Sequence, residues 1–505
     1  MSDCVITGSN LTIEDVVAVA RFHKRVVISE ESKKKIKASK EIVNKIVTSG
    51  VPTYGISTGF GEFSKVTISK EQNAALQKNL ILSHSCGVGE PFPEDVVRGI
   101  ILLRVNCLAS GFSGVTPEVV ERLVDLLNCD ITPHVPRKGS LGSSGDLANL
   151  AHISLVIIGE GKAYYKGELI SGAEALKRAA LKPVELSGKD ALALTNGTQV
   201  MTSLGALAIY DAENLLDAAN MAASLSFEAF RGITAALDPR IHHVRPHQGQ
   251  ADVAAFILKM LEGSSSVNTR QGDVQDPYTL RCVPQVHGAA ADAIAHVRKE
   301  IEIEMNSVTD NPLVFPDNGD VISGGNFHGE PIAINLDFLA IAISELANIS
   351  ERRTERLVNP QLSGGLPAFL IKDGGVNSGY MIPQYTAACL VSENKVLAHP
   401  ASVDSITSSA NKEDHVSMGT TAARKLSVVV QNVRDVIAIE WMVAAQACDL
   451  RGVKTFGAGT AEMHKLIREH VAHVDKDRIF AGDMATLSEL IKERKTLDRI
   501  KAKLQ

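Results

Sequence analysis

Residues 139–152, GSLGSSGDLANLAH, concentrate glycine and serine directly before an apolar, helix-like segment. Such residues could do chemistry through a serine hydroxyl or through an unusually flexible backbone. The simplest interpretation is structural: Ser144 or Asp146 caps a helix that starts near Leu147, and the glycines form the turn before it. Taken alone, the tripeptide at 143–145 favours this interpretation.

Two catalytic interpretations of the segment fit poorly. A phosphate-binding loop would follow a strand and end in Gly-Lys-Ser/Thr, whereas here Lys138 precedes the glycines and no strand-like run leads into them. A nucleophilic serine resembling those of the amidase-signature hydrolases would need a Gly-Gly-Ser-Ser-Gly-Gly surround and a buried lysine. Asp146 stands where the final glycine is required.

A further interpretation uses the backbone itself. The amide nitrogen of Gly145 can attack the carbonyl carbon of Ser143 and close a five-membered ring, and loss of two waters then leaves a methylidene on an imidazolone. Gly145 suits this attack because it has no Cβ to block the bend. Ser144 supplies the hydroxyl that leaves, while Ser143 contributes only its carbonyl, so its side chain takes no part in the chemistry. The product is an electrophile that no ordinary side chain provides.

Eight segments in collinear order resemble the aromatic amino-acid ammonia-lyase family over about residues 1–500. They are TYGISTGFG, NLILSHSCGVGEP, GSLGSSGDLANLAH, ALTNGTQ, VQDPYTLRCVPQVHGA, SVTDNPL, SGGNFHGEP and NKEDHVSMG. The family makes its prosthetic group, 4-methylideneimidazol-5-one (MIO), from an Ala-Ser-Gly tripeptide. This chain differs at Ser143, at Asn149 where proline is usual, and at Lys412 where glutamine is usual. The resemblance implies that MIO forms autocatalytically from residues 143–145, without an external cofactor.

The resemblance implies the elimination of ammonia from L-histidine to give trans-urocanate, the first step of histidine degradation. Elimination is difficult because the β-proton has very low acidity and the amine is a poor leaving group, and an electrophile that captures the amine removes the second difficulty. By resemblance, Tyr54 takes the proton, and its pKa, ordinarily about 10, would have to be lowered. Asn196 would polarise the imidazolone oxygen. Taken singly, both residues fit ordinary turns.

The substrate carboxylate is assigned to Arg281 by the same resemblance, because a guanidinium binds a carboxylate through two parallel hydrogen bonds. Gln275 and Tyr278, at three-residue spacing before it, would line the same pocket. A lone arginine is more often a surface or structural ion pair, so this role depends on the resemblance.

His84 and Glu413 match the positions that the family associates with an imidazole substrate, and Phe327 would pack against the bound ring. Relatives specific for phenylalanine carry glutamine at the position of Glu413. The close alternative is therefore a phenylalanine or tyrosine ammonia-lyase, or an aminomutase, on the same scaffold. An alternative of another class is a non-catalytic helical scaffold whose tripeptide is never cyclised.

A metal site is weakly indicated. The segment HHVRPH contains His242, His243 and His247, and EDH contains His415, but no His-Glu-x-x-His or Cys-x-x-Cys motif is present. Pro246 interrupts any helix that would align His243 with His247. We expect no metal and a structural role or adventitious binding for these histidines.

Composition limits the partners and the location. The formal net charge is −6 over 505 residues, and no long run of like charges occurs, which argues against nucleic acid or an anionic membrane. Seven scattered cysteines favour reduced thiols over a disulfide framework. Neither a secretory signal nor an uninterrupted run of about 18 apolar residues is evident. We expect a soluble cytoplasmic enzyme with a small-molecule substrate.

The pattern predicts a mainly α-helical fold. Three long segments without proline interruptions predict long helices: LGALAIYDAENLLDAANMAASLSFEAF, PIAINLDFLAIAISELANISERRTERL and TTAARKLSVVVQNVRDVIAIEWMVAAQACDL. Two hairpins are predicted, around 166–167 and around 317–319. We divide the chain into a loop-rich region, 1–197, and a helical bundle region, 198–505. The resemblance adds an ammonia-lyase/fumarase-like architecture and a homotetramer whose active sites are shared between subunits.

Overall fold

The computed structural model describes residues 3–59, 61 and 65–504, and Phe60 of the motif TYGISTGFG lies outside them. Nineteen α-helices dominate the described residues, which confirms the mainly α-helical prediction. They are α1 (Ile13–Phe22), α2 (Glu30–Ser49), α3 (Lys70–His84), α4 (Glu94–Ala109), α5 (Pro117–Asn128), α6 (Leu147–Ile157), α7 (Gly172–Arg178), α8 (Asp190–Thr195), α9 (Gln199–Phe230), α10 (Pro239–His243), α11 (Gln248–Met260), α12 (Tyr278–Arg281), α13 (Val283–Met305), α14 (Glu330–Val358), α15 (Met381–Leu397), α16 (Gly419–Arg451), α17 (Ala458–His470), α18 (Ala481–Lys492) and α19 (Arg494–Lys501).

Short strands form four small sheets. The strands are β1 (Cys4–Ile6), β2 (Val26–Ile28), β3 (Val88–Pro91), β4 (Ile131–Pro133), β5 (Pro136–Lys138), β6 (Lys162–Tyr165), β7 (Glu168–Ser171), β8 (Leu313–Phe315) and β9 (Asp320–Ile322). β1 pairs with β2 in parallel, while β3–β5, β4–β6–β7 and β8–β9 are antiparallel.

Both predicted hairpins are confirmed. In the first, Tyr165 pairs with Glu168, and the two turn residues have positive φ, 51° at Lys166 and 81° at Gly167. Two positive φ values are typical of a tight two-residue turn whose twist matches the strands. The second hairpin joins β8 to β9.

The chain divides into two compact units. Unit 1 comprises Met1–Tyr210, Arg298–Asp337 and Pro400–Arg424, and unit 2 comprises Asp211–Val297, Phe338–His399 and Lys425–Gln505. Four of the boundaries between the units fall within helices α9, α13, α14 and α16. The fifth lies between His399 and Pro400, just after the end of α15. The division of the chain into 1–197 and 198–505 stays a prediction.

In unit 2 the long helices are joined by buried polar contacts. The indole nitrogen of Trp441 in α16 donates to the carbonyl of Ala218 in α9 over 3.0 Å. The guanidinium of Arg353 in α14 donates through Nη2 to Oε2 of Glu440 over 2.7 Å, and both side chains are fully buried. A charge pair of this kind is stable in a core only when both partners are satisfied. Three of the predicted long helices therefore meet in a bundle.

One helix of the described residues, α14, has the length and composition of a membrane span. Within its most apolar 18-residue window, 61% is buried inside the protein. A helix that is apolar nearly all round is typical of the centre of a bundle, so burial accounts for this composition.

Unit 1 supports the glycine–serine segment with buried helices. Every residue of α4 from Val96 to Ala109 is buried, and α6 packs against α3 and α8. The helix predicted near Leu147 is confirmed as α6, but the predicted side-chain cap is wrong, because Asp146 makes no such hydrogen bond to α6. Its carboxylate accepts from the backbone N–H groups of Val200 and Met201, at 2.8 and 3.1 Å. Asp146 thus satisfies the first turn of α9 instead.

Candidate active site

The Ser143-Ser144-Gly145 tripeptide lies in a tight turn in unit 1. Ser144 has φ of 53° and Gly145 has φ of 82°, and Gly142 pairs with Gly145 across the turn. A left-handed conformation is uncommon for a residue with a side chain, and such strained backbone concentrates at functional sites. The turn is held by the segment around Gly197, whose N–H donates to the carbonyl of Ser144 over 3.2 Å.

The backbone at Gly145 has no room for a side chain. A Cβ there would lie 2.1 Å from the carbonyl oxygen of Gly197, and that oxygen accepts the N–H of Asp146 over 2.8 Å. Only glycine fits such an approach. The close packing of Gly145 against Gly197 therefore fits a group built from residues 143–145, since the ring closure that makes MIO requires glycine at this position.

Beside the turn lies a cavity of about 760 Å³. Its lining combines five of the residues expected from the sequence with apolar side chains, and includes Tyr54, Val66, Leu76, Leu80, His84, Ser144, Leu192, Asn196, Ala410 and Glu413. An apolar cavity with a few converging polar groups is the usual form of a small-molecule site. The fold thus brings together in unit 1 residues that are more than 300 positions apart.

Glu413 is bonded directly to the tripeptide. Its Oε2 accepts hydrogen bonds from the hydroxyl of Ser143 and, over 3.1 Å, from the hydroxyl of Ser408, while Oε1 accepts from the hydroxyl of Ser144 over 3.4 Å. The backbones of Ser408 and Glu413 also pair in both directions. The hydroxyl of Ser143, which ring closure does not use, therefore has a specific acceptor in the folded chain.

His84 and Tyr54 face the same cavity with shifted acidities. His84 ends α3, and burial lowers its pKa below the ordinary value, so burial favours the neutral ring. Burial raises the pKa of Tyr54, and the nearby carboxylate of Glu413 raises it further, while a hydrogen bond with the backbone of Gly61 lowers it. The direction for Tyr54 is opposite to the one expected for a base, because burial and the carboxylate of Glu413 both favour the protonated phenol.

Asn196 is held at the C-terminal end of α8. The side-chain Nδ2 of Asn196 donates to the backbone carbonyl of Asn311 over 2.9 Å. The backbone carbonyl of Asn196 accepts from the guanidinium of Arg104. Arg104 is 2% exposed and also donates to the carbonyl of Ala193, over 3.1 Å, and to the side chain of Gln199. A single buried cation therefore fixes the turn that carries Asn196. Arg104 is not among the residues predicted from the sequence, although a charged residue inside the apolar helix α4 is a signal that the sequence offers.

Gln275, Tyr278 and Arg281 lie in unit 2, where Tyr278 and Arg281 form the two ends of α12. The guanidinium carbon of Arg281 stands 4.5 Å from the centre of the Tyr278 ring, a cation–π contact. Gln275 and Tyr278 are exposed, and among the described residues the buried Nε of Arg281 has no hydrogen-bond partner. Phe327 lies half-buried in a turn of unit 1 before α14, and it is not among the cavity-lining residues described above.

Asn149 occupies the place where the family pattern has proline. It is fully buried in α6, and its Nδ2 donates to the carbonyl of Pro136 over 2.6 Å. The substitution therefore adds a hydrogen bond between α6 and β5.

A histidine pair lies in unit 1, in segments that adjoin Phe327 and Glu413 in the sequence. His328, Glu330 and His415 stand close enough to share a metal ion, and the two rings are stacked with Nε2 of His328 3.3 Å from Nδ1 of His415. The backbone N–H of Glu330 donates to Nδ1 of His328 over 3.3 Å. A neutral His328 ring must therefore carry its proton on Nε2 and donate it to His415. Hydrogen bonding accounts for this contact without a metal.

Comparison with known proteins extends over the whole chain. The sequence pattern described as "Aromatic amino acid lyase" matches residues 11–469. A protein of Treponema denticola named "Histidine ammonia-lyase" is 73% identical over 98% of each chain. The crystal structure of histidine ammonia-lyase from Trypanosoma cruzi has a TM-score of 0.92 at 41% identity and covers 99% of this chain and 95% of that one. Tyrosine aminomutase from Streptomyces globisporus has a TM-score of 0.95 at 36% identity, with 99% of each chain covered.

Full-length identity of this level, a matching family pattern and the same helical architecture agree with one another and with the arrangement around residues 143–145. The chain belongs to the aromatic amino acid lyase family.

Proposed function

We propose that this protein eliminates ammonia from L-histidine and releases trans-urocanate. The observation that carries the proposal is the position of Glu413, whose carboxylate touches both serines of the tripeptide and lines the same cavity as His84. A carboxylate in this place suits an imidazole ring, which brings an N–H donor, and does not suit a phenyl ring. The name of the Treponema denticola relative supports the same substrate.

We assign the prosthetic group MIO to Ser143, Ser144 and Gly145, and expect no external cofactor. When present, MIO supplies the electrophile that captures the amine and makes nitrogen a better leaving group. The absence of space for a Cβ at Gly145 supports this assignment, as does the left-handed backbone at Ser144.

The imidazole ring of the substrate is bound by Glu413 and His84. Glu413 accepts hydrogen bonds and is anchored by serine hydroxyls, so it accepts the ring N–H in a fixed direction. His84 is neutral because burial lowers its pKa, and a neutral imidazole can donate with one nitrogen and accept with the other. Phe327 is assigned to packing against the ring by family resemblance.

Tyr54 is the group that removes the β-proton. Burial and Glu413 both raise the pKa of its phenol, so the hydroxyl is protonated near neutral pH before substrate binds. A substrate ring N–H that pairs with Glu413 weakens the carboxylate's part of this rise, which is smaller than the part that burial causes.

Asn196 supplies a hydrogen-bond donor for the oxygen that gains negative charge during the reaction. The amide nitrogen carries two protons, and the carbonyl of Asn311 takes one of them. The second proton remains for the developing charge, and Arg104 keeps the turn in place, so little reorganisation is required.

Arg281 is assigned to the substrate carboxylate, and Gln275 and Tyr278 to the same pocket, by resemblance to the family. We propose a homotetramer in which neighbouring subunits complete each active site. The exposure of Tyr278 supports this arrangement, as do exposed apolar side chains on α14 and α15: Phe338, Ile341, Ile382 and Tyr385. Exposed apolar faces of this kind mark protein interfaces.

We place the reaction in the cytoplasm. All seven cysteines are free thiols in the structure, which fits a reducing compartment.

The test is a pair of assays on one preparation, urocanate formation from L-histidine and cinnamate formation from L-phenylalanine, both followed by absorbance. We expect a kcat/KM for L-histidine that exceeds the value for L-phenylalanine by several orders of magnitude. Equal or faster turnover of phenylalanine would assign the chain to the phenylalanine branch of the family. A search for β-amino acid products tests aminomutase activity in the same samples.

A further inference from the structure

The side chain of Ser143 has no part in ring closure, because that residue lends only its carbonyl carbon. Its hydroxyl nevertheless bonds to Oε2 of Glu413. The hydroxyl must be the donor, since an ionised carboxylate only accepts. A chain with alanine here, as in the family pattern, would lack this contact.

Ring closure changes the set of donors around Glu413. The hydroxyl of Ser144 leaves as water, so its 3.4 Å contact with Oε1 is lost. The hydroxyls of Ser143 and Ser408 remain, and both donate to Oε2. One oxygen of the carboxylate is then anchored twice, and Oε1 is freed for a ligand in the cavity.

Burial strengthens the hydrogen bonds that hold the carboxylate of Glu413. Ser143 is 8% exposed, Glu413 is partly buried, and the backbone of Glu413 is paired in both directions with that of Ser408. Hydrogen bonds to a charged group at a partly buried site are stronger and more directional than those at a solvent-exposed surface. The carboxylate plane is therefore set by two hydroxyls that approach from different segments of unit 1.

We propose that Ser143 is a positioning residue for Glu413, and that its hydroxyl increases the preference of the cavity for a ring that carries an N–H donor. This inference rests on the proposed function, because it requires Glu413 to bind the imidazole. The replacement of alanine by serine at residue 143 is then a gain in selectivity and leaves the prosthetic group unchanged.

The test compares two ligands that cannot react because they lack the amine, imidazolepropionate and phenylpropionate, by calorimetric titration. In Ser143→Ala we expect the Kd of imidazolepropionate to rise by up to about 10-fold, because the carboxylate that binds the ring loses one of the two hydrogen bonds that hold its Oε2. The Kd of phenylpropionate should change by less than about 2-fold. Ser143→Thr, which keeps the hydroxyl, should restore the natural ratio, and Ser408→Ala should shift the ratio in the same direction as Ser143→Ala.

Intact mass is measured on each variant, and Ser143→Ala should still lose two waters. The titrations are repeated in a Ser144→Ala background, where the second water cannot be lost and no methylidene can form, so a difference in maturation between the variants does not prevent the comparison. An unchanged ratio of the two affinities in Ser143→Ala would overturn the inference, while the proposed function would stand if the natural protein still prefers the imidazole ligand. If the natural protein shows no such preference, the proposed function fails first.

Discussion

The carbonyl oxygen of Gly197 stands 2.1 Å from the point where a Cβ on Gly145 would lie. Substituting Gly145→Ala therefore forces the two segments apart, and the positive φ of 82° adds strain. We expect a loss of unfolding free energy of at least about 2 kcal/mol, no cyclisation and no turnover. Intact mass and thermal unfolding measure both effects.

A matched control for that variant is Gly482→Ala in α18, where nothing lies within 4 Å of the added Cβ. This change should be neutral or stabilise the helix by about 0.5–1 kcal/mol. Cyclisation with full stability in Gly145→Ala would contradict the close approach of Gly145 to Gly197.

Asp146 should give the protein a characteristic pH dependence. Burial raises its pKa to about 6 from an ordinary value of 3.8, so the folded chain holds this proton more tightly than the unfolded chain. Its contribution to stability therefore falls as the pH rises from about 4 to about 6, by up to about 3 kcal/mol. In Asp146→Asn this fall is absent.

Urea unfolding at several pH values between 4 and 7 measures the effect as a difference between the natural protein and Asp146→Asn. Asp317→Asn, an exposed change in the β8–β9 turn, serves as the control and should leave the pH profile unaltered. A difference that stays constant across this pH range would show that Asp146 does not titrate there.

Much of the fold follows from the sequence because long segments with no proline beyond the first helical turn have one consistent periodicity. The segments predicted for α9, α14 and α16 and the hairpin at Lys166–Gly167 are confirmed. The partner of Asp146 was not predictable, because a cap is expected on the helix that follows it and here it lies on α9, more than 50 positions away.

The candidate site, like the fold, was predictable from the sequence only in part. Sequence motifs indicate that Tyr54, His84, Asn196 and Glu413 share a site, and the structure places them around one cavity. The bond from Ser143 to Glu413 joins residues 270 positions apart and depends on the local pairing of Ser408 with Glu413, which no motif encodes. Similarly, the pKa of Tyr54 depends on burial and on the charge of Glu413, which appear only once the chain is folded.

Arg104 should be indispensable for the arrangement around Asn196. Substituting Arg104→Met leaves buried acceptors at Ala193, Asn196 and Gln199 without their donor. We expect a destabilisation of about 3–5 kcal/mol, because three buried acceptors lose their hydrogen-bond donor, and a lower kcat at temperatures where the variant is folded. Arg240→Met, at a side chain 90% exposed, is the control and should change stability by less than about 1 kcal/mol. Equal stabilities in the two variants would exclude this role.

Glu413→Gln should change selectivity more than stability. The amide cannot carry the charge that attracts the imidazole N–H, so we expect kcat/KM for L-histidine to fall by about 10- to 100-fold. Turnover of L-phenylalanine should stay level or rise, since a phenyl ring makes no such hydrogen bond. Glu168→Gln, an exposed change in β7, controls for the loss of one negative charge. A parallel loss with both substrates would mean that Glu413 acts on the reaction and not on the ring.

If residues 143–145 become the prosthetic group, the intact mass of the purified, active protein must show it. We expect a mass lower than that of the full sequence by two water molecules, with the loss confined to the peptide that contains 143–145. The complete sequence mass in material that converts histidine to urocanate at its full rate would contradict it.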